Sequence, residues 1–215
     1  MKTIAAAAAA FLSALCTLPP AAAAQDVAGD FDYYVLALSW SPSWCATEGR
    51  GRDEAQCDPR RRTAFVVHGL WPQYEDGWPA DCRTAERDPS RRESAAMADV
   101  MGSGGLAWYQ WQKHGRCSGL SAQGYYAAVR DAAAGAEVPA LLKMLPRDVT
   151  LPAGVVEDAF IQANPDMTRN GITVTCNGKR LDEVRICLTR DLQPRDCAPD
   201  SRRDCAGALL MEAPG

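Results

Sequence analysis

The chain has 215 residues, of which 47% are hydrophobic and 23% charged, a balance that excludes disorder over most of its length and is typical of a single globular domain. Its 23 lysines and arginines are outnumbered by 27 aspartates and glutamates, and the formal net charge is −4. This balance excludes a stable, sequence-independent nucleic-acid binder, which needs a basic surface, but not an enzyme that needs positive charge at one site.

The N-terminal residues predict a cleaved signal peptide. Lys2 is a short positive region, residues 4–18 are predominantly apolar, and residues 22–24 are small alanines typical of a cleavage site. A membrane anchor is the alternative, but the apolar run is short and two prolines follow it. We therefore expect residues 1–24 to be removed, and residues 25–215 to form one periplasmic or secreted domain with no membrane contact.

The cysteines predict an oxidised, disulfide-bonded protein. Nine are present, and Cys16 would leave with the signal peptide. The even number that remains in an exported chain predicts four disulfide bonds, although the residues alone do not choose among the possible pairings. No two cysteines have the C-x₂-C spacing of a zinc site and there are only two histidines, so we predict no bound metal.

Two strands are predicted in the first third of the chain. Residues 31–40 alternate partly and are rich in aromatic and β-branched side chains, which indicates a strand that ends before Pro42. The polar residues 46–62 are expected to form a loop. Residues 63–68 indicate a second strand that ends at His68, in a turn formed by the letters GLWP.

The middle of the chain predicts helices. At residues 88–101, Asp88 is the expected N-cap and Pro89 the first helical residue, and the letters GSGG end the helix. Further helices are predicted at 106–114, 121–134 and 152–163, with a short turn at 141–145.

Two more strands follow the helical region. Residues 171–176 and 181–188 are predicted strands joined by a turn at Asn177 and Gly178, since Asn-Gly is a strong hairpin signal. Strands on both sides of a helical middle favour an α+β fold with an antiparallel or mixed sheet. The C-terminal letters LLMEAPG indicate no element.

The predicted helix at 106–114 places three polar side chains together. Gln110, Lys113 and His114 are spaced i, i+3 and i+4, so they share one face of the helix. Trp108 and Trp111 are also three residues apart and point in another direction, which we interpret as the core side. The polar face is then expected to line a cleft.

His68 is the other histidine of the chain. It ends an apolar strand at a junction with a loop, where rigid scaffolds present reactive side chains. A single histidine is more often a structural hydrogen-bonding group than a catalytic one. Here, however, both histidines precede a glycine, have a tryptophan nearby and lie close to a cysteine. Two such settings in one chain favour a functional pair.

Two histidines, a lysine and no metal ligands fit the cleavage of RNA, which carries its own nucleophile in the 2′-hydroxyl. One histidine can remove the proton of that hydroxyl while the other protonates the departing 5′-oxygen. A lysine ammonium can stabilise the negative charge that gathers on the phosphorus centre between them.

The segments around these residues resemble the two signature segments of the ribonuclease T2 family. FVVHGLWPQ, residues 65–73, and WQKHGRCS, residues 111–118, occur in the family's order. The similarity extends from FDYYVLALSWSPSWC near the start to ANPDMTRNGITVTCNGKRLDEVRICL near the end, and so covers nearly the whole chain after the signal peptide.

The resemblance implies a fold and an activity. It implies an α+β fold in which a central, mostly antiparallel sheet packs with several helices and is held by disulfides. It implies a metal-independent endoribonuclease that cleaves single-stranded RNA through 2′,3′-cyclic phosphates with low base specificity. No cofactor is expected, RNA is a transient partner, and we expect a monomer.

The resemblance also assigns roles to residues. His68 would be the general acid at the 5′-oxygen, His114 the general base at the 2′-hydroxyl, and Lys113 the group that stabilises the transition state. Trp71 matches the family's base-stacking position. Gln73 lies where some members have an aspartate that accepts from a base amino group. Tyr74 and Trp78 would extend the base pocket, with ordinary packing an open alternative for both.

The family's disulfide pattern implies the pairing here. Cys82–Cys117 would tie the two signature segments together, and Cys45–Cys57 would close the early loop. The remaining pairs are Cys176–Cys205 and Cys187–Cys197.

The chain departs from the family at two residues of the second signature. Tyr109 replaces a histidine and can still donate to phosphate, whereas Gln110 replaces a glutamate and keeps hydrogen bonding but not the charge. One hypothesis is an active enzyme with an altered rate or pH optimum. The alternative is a catalytically weakened homologue that binds RNA or a protein partner.

Two other classes of protein fit the sequence less well than a metal-independent nuclease. A secreted, disulfide-rich binding module such as an inhibitor fits the cysteines and the acidic charge, but it needs neither histidine nor Lys113. A metal-dependent nuclease would require a cluster of His and Asp ligands that the sequence lacks.

Overall fold

The computed structural model describes residues 26–215, so the predicted signal peptide lies outside the described residues. Seven α-helices are present in the described residues, most of them in the middle of the chain. They are α1 (Ser41–Ala46), α2 (Arg91–Ala95), α3 (Ala98–Met101), α4 (Gly104–Lys113), α5 (Ala122–Gly135), α6 (Ala140–Lys143) and α7 (Ala153–Ala163). The strands are β1 (Tyr33–Trp40), β2 (Phe65–Gln73), β3 (Val149–Pro152), β4 (Ile172–Asn177), β5 (Arg180–Leu188) and β6 (Ala208–Met211).

These strands form one sheet in the order β2-β1-β5-β6-β3, with β4 paired to β5. The ladders are antiparallel except that β5 and β6 meet in a parallel pair at Arg180 and Leu210. Helices cover one face of the sheet. The predicted α+β class with a mostly antiparallel sheet is therefore confirmed.

Alternation along β1 gives the sheet two different faces. Leu36, Leu38 and Trp40 point into the main hydrophobic core, which also contains Trp111 and Tyr125 from the helices. On the other face, Tyr33 and Val35 pack against Cys187, Cys197 and Ala198 in a smaller cluster. Beyond that cluster the face is open, since Ser39, His68 and Arg185 line a cavity there, and we call it the open face. The burial of the first face stabilises the fold at about 25 cal/mol per Å² of apolar surface.

Strand β2 does not end at His68 as predicted, but continues through GLWP to Gln73. The predicted turn was wrong because Gly69 and Pro72 are accommodated within the ladder to β1. Ala37 pairs with Gly69 whereas Leu38 pairs with Val67, so His68 is the extra residue of a β-bulge. Bulges redirect side chains at functional sites, and this one turns the imidazole onto the open face of the sheet.

The predicted helix at 88–101 is two short helices, α2 and α3. Ser90, not Asp88, is the N-cap, because Ser90 and Glu93 form a reciprocal capping box. The helix then breaks at Ala96 and Met97. Asp88 lies outside it and has another role, which is to accept hydrogen bonds from the end of α4.

Smaller differences from the predictions concern one tryptophan, three short elements and the hairpin turn. Trp111 is fully buried as predicted, but Trp108 is 44% exposed and was wrongly placed in the core. Strands β3 and β6 and helix α1 were not predicted. In the hairpin, Asn177 is the last residue of β4 and pairs with Arg180, so the turn consists of Gly178 and Lys179.

The four disulfides expected from the resemblance are present. Cys82–Cys117 joins the segment before α2 to the turn after α4. Cys187–Cys197 and Cys176–Cys205 hold the C-terminal segment against β5 and β4. Within residues 26–215, none of the helices has the length and apolar character needed to span a membrane.

Candidate active site

The site lies on the open face of the sheet where β2, β1 and β5 are adjacent. Next to Glu183 and Arg185, the central strand β1 presents the small residues Ala37 and Ser39 on this face. Their neighbours on β5 in the ladder are Arg185 and Glu183. Because the side chains of β1 are short here, long side chains from β2 and β5 can meet across it.

His68 meets such a side chain. Its Nδ1 is hydrogen-bonded to the carboxylate of Glu183, and its side chain is 36% exposed. Arg185 holds the same carboxylate through Nε and a terminal nitrogen, at 2.8 and 2.7 Å. The imidazole is therefore fixed on its Nδ1 side and open on the other.

Helix α4 is joined to β2 through Gln110. Its Oε1 accepts a hydrogen bond of 2.7 Å from the indole nitrogen of Trp71. Gly69 makes this approach possible, since a Cβ there would lie 2.4 Å from that oxygen and 2.2 Å from the indole nitrogen. Gln110 is only 1% exposed. The amide thus links the two halves of the site at the position where the resemblance led us to expect a charge.

His114 lies at the C-terminal end of α4, where its backbone N–H closes the last turn on the Gln110 carbonyl. Its ring packs against Trp71, with centroids 5.3 Å apart, and the His68 ring lies 5.4 Å from the same indole. The His114 Nδ1 is buried and has no hydrogen-bond partner. Both imidazole rings thus lie next to the indole of Trp71.

The surroundings of His114 disfavour its charged form. Burial, followed by the charges of Lys113 and His68, lowers the pKa of His114 from 6.5 to about 4. The unpartnered Nδ1 acts in the same direction, because an imidazolium would need an acceptor there. The His114 imidazole is therefore neutral over the physiological pH range.

The end of α4 is anchored firmly. Asp88 accepts from the indole of Trp111 at 2.8 Å and pairs with the guanidinium of Arg116. Tyr125, fully buried on α5, donates to the backbone carbonyl of Leu70 in β2 at 3.0 Å. These contacts fix the helix end against the strand that carries His68.

Two adjoining cavities share this wall. One has a volume of about 440 Å³ and the other about 590 Å³, and His68, Trp71, Tyr109 and Arg185 line both. The smaller cavity contains both histidines, and its remaining lining residues are Gln73, Trp78, Gln110, Lys113, Asp200, Ser201 and Arg203. His68 thus stands at the junction of the two.

The base-binding residues expected from the resemblance are only partly brought together. Trp71 and the 60% exposed Trp78 line the smaller cavity. Gln73 lines it as well, with its amide nitrogen donating to the Pro72 carbonyl at 2.8 Å. Tyr109 is half exposed between the cavities. Tyr74 instead packs on the hydrophobic core and is not among the lining residues of either cavity.

Sequence reasoning missed the contributions of β5 and of the C-terminal turn. Glu183 and Arg185 are spaced i and i+2, so they face the same side of the strand. That spacing interrupts the apolar run of a central strand and was the available signal. No comparable sequence signal marked Asp200 and Ser201, which lie in the turn after Cys197.

The arrangement can move two protons in opposite directions. One imidazole is neutral and buried, while the other is bound to a carboxylate and half open to solvent. A pair of titratable groups with such different environments is suited to base and acid roles. The Lys113 ammonium in the same cavity can attract an anion placed between them.

Known proteins share both the sequence and this fold. The model of the Ribonuclease T2 family matches residues 31–197. A ribonuclease of Aeromonas hydrophila is 37% identical over 172 residues, which cover 78% of this chain and 76% of that protein. Ribonuclease I of Escherichia coli is 30% identical over 137 residues, covering 46% of this chain and 51% of that protein.

Solved structures of ribonuclease-related proteins are similar to this fold. RNase NT in complex with 5′-AMP is 25% identical with a TM-score of 0.64, and the match covers 86% of this chain and 98% of that one. The RNase-related protein from Calystegia sepium has a TM-score of 0.68 at 21% identity, with the same coverage, which is a likeness in fold.

Proposed function

The chain belongs to the ribonuclease T2 family and is a ribonuclease, and from that premise we propose that it cleaves single-stranded RNA by metal-independent transphosphorylation with low base specificity. The observation that supports this proposal is the gathering of His68, Lys113 and His114 around one cavity. His68 comes from a strand and the other two from the end of a helix, and His68 is more than 40 residues from them in the chain.

In the first step, His114 takes the proton of the 2′-hydroxyl, which attacks the adjacent phosphorus. Lys113 stabilises the charge that gathers on the phosphoryl oxygens. His68 gives a proton to the 5′-oxygen as its bond to phosphorus breaks, leaving a 2′,3′-cyclic phosphate. In the second step water attacks the phosphorus of the cyclic phosphate and the two histidines exchange roles. His68 takes a proton from the water, and His114 returns one to the departing 2′-oxygen.

The low pKa of His114 and the open side of His68 support this division of roles. Trp71 and Trp78 offer stacking surfaces for a base, worth about 1–3 kcal/mol each and sequence-tolerant. Gln110 acts in this proposal by holding Trp71 and the end of α4, and Tyr109 by donating to phosphate. The enzyme works as an exported monomer, for which the four disulfides fit an oxidising compartment.

The test is the release of cyclic phosphate from RNA by pure protein, with and without EDTA. We expect cleavage that EDTA leaves unchanged and that His68→Ala and His114→Ala strongly reduce. Loss of activity in EDTA would contradict a metal-independent reaction. Absence of cleavage, with RNA binding retained, would instead favour the weakened homologue that binds RNA.

A further inference from the structure

A buried carboxylate stands directly behind one of the two histidines. Glu183 lies on β5 with only 4% of its side chain exposed, and it uses both oxygens. Oε1 is bonded to Nδ1 of His68, and Oε2 to the guanidinium of Arg185. The following inference rests on the proposed function, because it concerns how His68 is held for that reaction.

Glu183 is ionised in this position. Burial alone would raise its pKa, but the hydrogen bond and charge of His68, together with Arg185, outweigh burial and leave the pKa below its usual value. A buried carboxylate is kept charged only where partners compensate for the lost water. Arg185 is the constant partner, because its guanidinium is always protonated.

The contact determines which nitrogen of His68 faces the substrate. A carboxylate can only accept, so Nδ1 carries a proton and Nε2 is turned away from β5, towards the junction of the two cavities. The side chain is half open on that side. A carboxylate behind a catalytic imidazole fixes its tautomer and stabilises the imidazolium.

We propose that Glu183, held by Arg185, is a positioning residue of this active site, and that it keeps His68 oriented to deliver its Nε2 proton. As the bond between phosphorus and the 5′-oxygen breaks, that proton passes to the oxygen and Nδ1 keeps its own. The site's carboxylate therefore acts on the acid, whereas Gln110 leaves the base without one.

Other charged groups face His68 and enter any pH dependence. Asp182 and Arg185 approach from β5, and Lys113 and His114 from the end of α4. The larger cavity adds Glu48, Arg52 and Glu54 from the segment around the first disulfide, and the smaller one adds Asp200 and Arg203 from the C-terminal turn.

The first experiment compares Glu183→Gln with wild type on two substrates. One is a dinucleoside monophosphate, whose 5′-oxygen needs a proton to leave. The other is a nucleoside 3′-(4-nitrophenyl phosphate), whose leaving group needs none. On the dinucleotide we expect kcat to fall by about 10- to 1,000-fold, with KM changed by less than about twofold, since the orienting carboxylate of a catalytic histidine can be worth ~10⁴.

On the nitrophenyl ester the expected loss is smaller than about threefold, because general acid catalysis is not required there. An equal loss on both substrates would mean a structural role and would overturn the proposal, as would no loss on either. Glu157→Gln is the matched control. Glu157 is a buried carboxylate paired with Arg169, away from both cavities, and its replacement should leave kcat on both substrates unchanged.

The second measurement is nitrogen-15 NMR of the imidazole rings, which needs no variant. The chain has only two histidines, so both rings can be assigned. In wild type we expect neutral His68 to keep its proton on Nδ1, and His68 to lose this preference in Glu183→Gln while the His114 signals stay unchanged. A wild-type His68 with its proton on Nε2 would overturn the proposal even if the variant failed to fold.

The experiments distinguish a failure of the positioning role of Glu183 from a failure of the proposed function. If wild type cleaves RNA and Glu183→Gln behaves like it, the positioning role is wrong and the proposed function stands. If wild type cleaves neither RNA nor the ester, the proposed function fails, and with it this use of Glu183.

Discussion

The two histidines of the site occupy opposite kinds of surroundings. His68 projects from a bulge in the sheet, half exposed and bonded to a buried carboxylate. His114 ends a helix, nearly buried, with Nδ1 unpartnered and Lys113 beside it. The same side chain thus faces a carboxylate in one place and, in the other, a buried setting with a lysine beside it that favours the neutral form. In the proposed mechanism, it is therefore the local environment of each histidine, and not the residue type, that assigns one to the acid role and the other to the base role.

The strongest test of this comparison exchanges each histidine for alanine. Both His68→Ala and His114→Ala should lower kcat on RNA by about 10²–10⁴-fold, the usual worth of a proton-transfer group. On a nitrophenyl ester only His114→Ala should remain severely impaired, because that substrate still needs a base. The opposite result, a severe loss only in His68→Ala, would mean that the roles are reversed.

The disulfide next to His114 provides a second test. The double variant Cys82→Ser/Cys117→Ser should lose about 2–4 kcal/mol of unfolding free energy, since a loop of 35 residues is no longer closed. It should also lose activity at temperatures where it is folded, because the end of α4 is freed. Chemical denaturation and initial rates would measure the two effects.

The matched control is the double variant Cys176→Ser/Cys205→Ser, whose bond spans a similar 29 residues but lines neither cavity and does not hold α4. We expect a comparable loss of stability with normal activity of the folded protein. Equal activity losses in both double variants would show that α4 needs no local anchor.

A smaller effect is expected on the substrate side of the site. Trp78→Ala should weaken RNA binding by about 1–3 kcal/mol if a base stacks on this exposed ring, and so raise KM with little change in kcat. Trp108→Ala is the control, since Trp108 is also exposed but lines neither cavity. An unchanged KM for Trp78→Ala would remove it from the binding surface.

The smallest expected change is a shift in pH dependence. His114 must be unprotonated to act as base, and its pKa is about 4, so kcat/KM should fall as the pH drops through about 4. Gln110→Glu places a carboxylate near His114, which raises the pKa and should move this acid limb up by about one unit. Gln162→Glu on the exposed surface of α7 makes the same charge change elsewhere and should not move it. A limb that stays in place in Gln110→Glu would mean that the amide does not face the base.

Most elements could be predicted because their signals are local. The strands β1, β4 and β5 and the helices α4, α5 and α7 lie within a few residues of their predicted bounds. The errors arose where tertiary contacts override local signals. The letters GLWP indicated a turn, but pairing with β1 keeps them in the sheet. Asp88 was predicted to be a helix cap, but it accepts from Trp111 and pairs with Arg116 instead.

The sequence by itself was enough to identify the family, the two histidines and the lysine of the site, and the cysteines that form the disulfides. Each of these can be recognised from a short stretch of neighbouring residues. Only the tertiary structure decided which groups surround them. Glu183 is 115 residues from His68 and reaches it because β1 lies between β2 and β5 with small side chains on that face. Gln110 likewise reaches Trp71 only because Gly69 leaves the space. Sheet pairing and close packing bring distant residues together, and no local pattern records that contact.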